Sequence, residues 1–170
     1  MPVIAAIARR GPAIAGIAHA GLAALAGCSE RSAACGAHEA IVERVVDGDT
    51  IVVSGGVRVR YLLVDAPENT NGHDECYGPS ATRFNADLVL GKTVELEYDV
   101  ECRDVFDRTL AYVTVDGQDV NQLLVERGYA CVLHIPPDGD ARVAEFEALE
   151  SAARAARRGL WGACDPIPCR

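Results

Sequence analysis

Residues 46–68 constrain this chain more than any other stretch. They read V-D-G-D-T, a short apolar run, a turn at Ser54-Gly55-Gly56, a second apolar run, and then R-Y-L-L-V-D-A-P-E. The β-branched and aromatic content of 50–53 and 57–64, bounded by turn formers, predicts two strands. A strand–turn–strand folds Asp49 back towards Asp65. Asp47, Asp49, Asp65 and Glu68 then share a small space, which is costly unless a cation or protons compensate. Oxygen donors of this kind suit a hard cation. Within 57–64, Val57, Val59 and Tyr61 alternate with Arg58, Arg60 and Leu62, so Arg60 leaves the sheet on the face opposite Val59 and Tyr61.

The flanking chain supplies more short strands. Residues 40–46 join 50–53 through the 47–49 turn, and 93–98 and 110–115 read as two further strands. Residues 66–77 form a loop punctuated by Pro67, Asn69, Asn71 and Gly72. Pro79 and Gly91 bracket a helix with Ala81, Phe84 and Leu88 on one face. After a charged loop at 99–108, residues 120–127 form a short helix with Val120, Leu123 and Leu124 inward. Residues 129–135 read as a short strand or an extended segment. The longest helix spans 141–158, with a stripe of Val143, Phe146, Leu149, Ala153 and Ala156. Trp161 is expected as a core anchor. The strand–helix alternation of a parallel sheet is absent. The expected fold class is therefore α+β, a five-stranded OB-type Greek-key β-barrel with about three helices.

The first residues differ from the rest. Residues 1–27 carry only Arg9 and Arg10 as charges, followed by an Ala/Gly/Ile/Leu run of signal-peptide length. Residues 25–28 read L-A-G-C, which resembles a bacterial lipobox with Cys28 as the lipid-attachment residue. The expected organisation is a lipoprotein-type signal peptide at 1–27, Cys28 and a short tether to 39, one folded domain at 40–163, and a Cys/Pro-containing tail at 164–170. A plain signal peptide is the alternative. The expected location is a membrane through the lipid anchor, the outer one where there is one, or otherwise the periplasm or the medium.

Cys35, Cys76, Cys102, Cys131, Cys164 and Cys169 remain. An even number in an exported chain reads as up to three disulfides, whose pairing spacing alone does not choose. Cys164 and Cys169 are close enough to close a small loop around Pro166 and Pro168. A zinc site competes for these cysteines, but no C-x-x-C spacing supports it. The chain has 16 Lys+Arg against 25 Asp+Glu, a net charge of −9; without residues 1–27 the balance is 14 against 25. An acidic body of this kind repels phosphate polyanions.

Five blocks occur in order: V-D-G-D-T at 46–50, R-Y-L-L-V-D-A-P-E at 60–68, Y-G-P-S-A at 77–81, D-R-T-L-A-Y at 107–112 and G-L-W at 159–161. A softer sixth is V-N-Q-L-L-V-E-R-G-Y-A at 120–130. On these residues, 40–161 resembles the staphylococcal nuclease (thermonuclease) family. The resemblance implies one calcium ion held by Asp49, Asp65 and the backbone carbonyl of Ala66, a position where the family often has threonine. Asp47 and Thr50 would support that ion indirectly or through water. It further implies Glu68 as general base towards water, and Arg60 and Arg108 as phosphate clamps, a role that suits the guanidinium fork. The implied activity is calcium-dependent hydrolysis of DNA and/or RNA, leaving 3′-phosphate ends, by a monomer.

Two alternatives are a non-catalytic nucleic-acid or protein binding module and an envelope protein whose calcium only stabilises the barrel. Modules of the first kind usually lose metal and arginine positions, and none is lost here. The chain departs from the family at Val105 and Phe106, where lysine and tyrosine are usual, and at Asp107, where glycine is usual. Stacking aromatics found later in the family correspond to about His134 and Pro136. The catalytic set is thus complete while the set that grips the nucleotide is thinned. His73 and His134 read as loop or rim residues.

Overall fold

A computed structural model describes residues 35–70 and 72–169. In chain order these form β1 (Glu39–Val45), β2 (Thr50–Val53), β3 (Val57–Tyr61), β4 (Leu63–Asp65), β5 (Asn69–Thr70), β6 (His73–Asp74), α1 (Gly78–Val89), β7 (Thr93–Glu97) and β8 (Thr109–Val115). They continue as β9 (Gln118–Asp119), α2 (Val120–Glu126), β10 (Cys131–Leu133), α3 (Val143–Ala155) and α4 (Leu160–Ala163). Strands β1, β2 and β3 make an antiparallel meander, and β7 and β8 extend it from the other edge of β1. A parallel pairing of β3 with β8, Arg60 opposite Leu110, closes the five strands into a barrel. The expected α+β barrel is the observed fold. Its helices are α1, α2 and α3, with α4 a single turn.

Local alternation places the core. In β7, Val94 and Leu96 are buried while Thr93, Glu95 and Glu97 face water. Ile51, Val59, Tyr61, Val113, Leu124 and Phe146 are fully buried beside Val94. Burying each such side chain stabilises the fold by roughly 1.5–3 kcal/mol.

Strand 57–64 is not continuous. The amide of Leu62 still donates to the Ala111 carbonyl at 3.0 Å, and then Leu63 turns the chain with φ 60°. At this break Asn121, wholly buried, donates to the Leu62 carbonyl at 2.9 Å while its own oxygen accepts from the Val113 amide at 3.0 Å. Freed from the barrel, β4 pairs with β10, Asp65 opposite Cys131. This makes the 129–135 segment a strand at its centre. The inward face of α2 is Val120, Asn121, Leu124 and Val125, with Leu123 only half-buried. The 66–77 loop contains the two-residue β5–β6 ladder.

Helix α3 is shorter than expected at both ends. It stops at Ala155, and a turn through Arg157 (φ 53°) leaves Ala156 exposed, outside the predicted stripe. Trp161 is half-buried in a satellite cluster with Cys131, Leu160 and Cys164, not in the main core. Arg154 lies 4.2 Å from its ring centroid, and its indole nitrogen has no hydrogen-bond partner among the described residues.

The disulfides are Cys35–Cys102, Cys76–Cys164 and Cys131–Cys169. A Cys164–Cys169 loop is therefore ruled out, and no thiolate among the six is left for zinc. The Leu160 amide donates to the Gly128 carbonyl at 2.8 Å and docks α4 on the domain. Cys164 then meets Cys76, and the tail runs on to Cys131. The signal-peptide and Cys28 expectations lie outside the described residues. No described helix is long and apolar enough to cross a membrane.

Candidate active site

The turn between β1 and β2 presents the first acids. The Asp49 amide donates to Asp47 Oδ1 at 3.1 Å, and the Val46 amide donates to the Thr50 carbonyl at 2.9 Å. Gly48 permits this turn to lie flat on its neighbours: a Cβ there would come within 2.5 Å of Ala66 Cβ and 2.8 Å of Ala81 Cβ. Asp49 is only 5% exposed. The Ala66 amide donates to its Oδ2 at 2.7 Å and the Thr50 hydroxyl to its Oδ1 at 3.0 Å. Behind them, Tyr61 donates to Asn85 at 2.9 Å, and Asn85 donates to the Asp47 carbonyl at 3.1 Å. Burial, and then the charge of Asp49, push the Asp47 carboxyl up to about 7.

Arg60 joins the two strands' acids. Its guanidinium lies 3.2 Å from Asp49 Oδ2 and 3.3 Å from Asp65 Oδ1, and it also donates to the carbonyls of Tyr61 and Val64. The predicted Asp49, Asp65 and Arg60 are thus in direct contact. Among the described residues, no three His, Cys, Asp or Glu side chains gather as a ready-made metal cage. The donors present are two carboxylates and the peptide of Ala66, whose amide already binds Asp49. This all-oxygen set fits a hard divalent cation. Two carboxylates touch one guanidinium here, and a cation would offset that excess of negative charge.

Glu68 sits where the chain leaves β4. Its carboxylate accepts from the Thr70 hydroxyl at 3.0 Å. Its amide donates to Glu75 Oε2 at 2.8 Å, and its carbonyl accepts from the Glu75 amide at 2.9 Å. Gly78 packs on the same peptide, since a Cβ there would lie 2.3 Å from the Glu68 oxygen.

Arg108 arrives from the loop before β8. Asp104 accepts from the amides of Phe106 and Arg108, both at 2.9 Å, and from Arg108 Nε and Nη2 at 2.7 and 2.6 Å. Burial raises the Asp104 carboxyl, but the hydrogen bonds and charge of Arg108 outweigh it and hold it below the usual carboxylate value. Asp107 takes the left-handed conformation (φ 59°) at the position where the family has glycine, a conformation aspartate tolerates. Arg60 and Arg108 both line a groove of about 390 Å³, together with Leu63, Leu110, Phe106 and Ile135. Glu68, Asp49 and Asp65 are not on its wall. Phe106 is 72% and Ile135 65% exposed, so the rim is apolar. His134 pairs with Asp140 at 2.8 Å, and Pro136 is exposed. The sequence reading missed Asp104, Thr70, Glu75 and Ile135. Only Asp104 leaves a visible sign, an acid four residues before the arginine it holds.

A family model described as Staphylococcal nuclease homologue matches residues 58–163. The SPbeta prophage-derived endonuclease YokF of Bacillus subtilis is 38% identical over 127 residues, 71% of this chain and 43% of that protein. Endonuclease YncB of the same organism is 37% identical over 71% of this chain and 60% of its own length. The thermonuclease of Staphylococcus intermedius is 34% identical over 126 residues, 71% of this chain and 74% of that protein. The chain therefore spans less than two thirds of either Bacillus protein.

Proposed function

Because this chain belongs to the staphylococcal nuclease family, we propose that it is a calcium-dependent nuclease acting on DNA and/or RNA. One observation carries the reading: Arg60 touches Asp49 and Asp65 and also lines the groove that holds Arg108. Asp49, Asp65 and the Ala66 carbonyl would hold calcium, with Asp47 and Thr50 behind them. When bound, the ion supplies positive charge to the phosphate oxygens. Arg60 exchanges carboxylate partners for a phosphate oxygen of the substrate. Arg108, held by Asp104, presents its remaining donors to the same phosphate. Together they stabilise the charge that grows during attack. Glu68, oriented by Thr70, takes a proton from the attacking water. The new oxygen–phosphorus bond forms as the bond to the 5′ oxygen breaks; the departing 5′ oxygen takes a proton from solvent, leaving a 5′-hydroxyl and a 3′-phosphate end.

The apolar rim at Phe106 and Ile135 takes a base by its face, which gives weak sequence preference. Three disulfides support an exported protein in an oxidising compartment. Cys28 would carry a lipid anchor, and a monomer suffices for the chemistry.

The test is cleavage of single- and double-stranded DNA and RNA by the purified protein, with calcium and with chelator. Glu68→Gln lowers the calcium-dependent rate by orders of magnitude with its fold intact. No cleavage of any substrate from neutral to alkaline pH overturns the proposal.

A further inference from the structure

The 66–77 loop leaves β4 at Asp65 and returns at α1. Among the described residues its own ladder joins Asn69 with Asp74 and Thr70 with His73. Asn69 is tied to α1 besides, donating to the Thr82 hydroxyl at 3.0 Å. The neck of the loop is held differently. Glu75 grips the peptides on both sides of Glu68, accepting from its amide through Oε2 and donating its own amide to the Glu68 carbonyl. The first of these is charge-assisted, the stronger kind of hydrogen bond. The Glu75 carbonyl accepts from the Gly78 amide at 2.9 Å, and Gly78 in turn lies against the Glu68 oxygen. The next residue, Cys76, is bonded to Cys164 at the end of α4.

We infer that Glu75 is a positioning residue: it holds the main chain of Glu68 so that the Glu68 carboxylate points at the attacking water. This rests on the reading of Glu68 as the general base. With the backbone gripped, only the Glu68 side-chain torsions remain, and the Thr70 hydroxyl limits those. A loop carboxylate that serves only stability would leave catalysis by the folded protein unchanged.

The test compares kcat, KM and melting temperature at saturating calcium for Glu75→Ala, Glu75→Gln, Glu68→Gln and the double variant Glu68→Gln/Glu75→Ala. Glu75→Ala lowers kcat by about tenfold or more, as small displacements of a catalytic group do, with KM nearly unchanged. Glu75→Gln keeps a carbonyl oxygen for the Glu68 amide and retains most of kcat. In the Glu68→Gln background, Glu75→Ala adds no further loss, because the two residues act as one unit. Wild-type kcat in Glu75→Ala, or the same fold-loss in both backgrounds, overturns the inference. If Glu75→Ala does not fold, Glu75→Gln decides: a loss as deep as that of Glu68→Gln makes Glu75 itself the proton acceptor and overturns positioning. Wild-type kcat in Glu68→Gln instead overturns the parent reading of Glu68.

Discussion

Arg60 Nη1 lies 3.2 Å from Asp49 Oδ2, and neither side chain is more than 11% exposed. The two charges neutralise each other where water reaches neither well. The same guanidinium also reaches Asp65, so one cation serves acids from two strands.

Removing that cation leaves buried acids uncompensated. Arg60→Gln is expected to destabilise the protein in chelator by about 3–5 kcal/mol. With calcium the deficit shrinks, since the ion takes over the lost charge. Denaturant unfolding with and without calcium measures this. An equal deficit in both conditions would show that ion and guanidinium do not share the carboxylates.

Asp104 organises the loop that delivers Arg108. Asp104→Ala is expected to lower kcat/KM by about tenfold to a hundredfold, with Asp104→Asn between it and the wild type. Because Arg108 holds the folded Asp104 carboxyl below its ordinary 3.8, the ionised form favours the folded state. Its contribution is complete above that value and is lost as pH falls through the lower folded value. The stability difference between wild type and Asp104→Ala is therefore the same at about pH 8 and about pH 5. A difference that changes between them contradicts the geometry.

Phe106 stands exposed beside Arg108, whose guanidinium lies 5.4 Å from its ring centroid. A ring so placed stacks on a base at about 1–3 kcal/mol. Phe106→Ala is expected to raise KM for single strands by roughly tenfold with kcat little changed. Steady-state kinetics on a short single strand checks this, and an unchanged KM removes Phe106 from the substrate path.

The disulfides close loops with sequence separations of 67, 88 and 38 residues. Each such cross-link typically stabilises by about 2–4 kcal/mol, through the unfolded state in the chain-entropy account. Reductant is therefore expected to lower the melting temperature strongly. A thermal scan with and without reductant reads the effect, and coincident curves would mean that the bonds contribute nothing.

The barrel was legible in the sequence because its signals are local. Val94 and Leu96 set against Glu95 and Glu97 declare a strand without reference to anything distant. The same alternation told which face Arg60 leaves by. It did not tell that Arg60 lies across Asp49 and Asp65. That depends on the break after Leu62, whose carbonyl is bound by Asn121 of α2, far along the chain. Asp104 and Glu75 were hidden for another reason. Much of what they hold is main-chain amide, and an amide leaves no mark in the residue string. The pairings of Cys76 with Cys164 and of Cys131 with Cys169 were hidden because they follow from the path of the tail after α4.

The parallel pairing of β3 with β8 also works as a ruler. Arg60 and Arg108 are far apart along the chain, yet their spacing is set by one register, Val59 opposite Thr109 and Arg60 opposite Leu110. Length changes at the exposed 116–117 turn, after β8, leave that spacing alone. A slip of one residue within β3 sends Arg60 to the barrel interior, because side chains alternate. Tolerance of insertions and deletions in this chain is therefore sharply uneven, almost nil along the seam and in the two loops that hold Glu68 and Arg108.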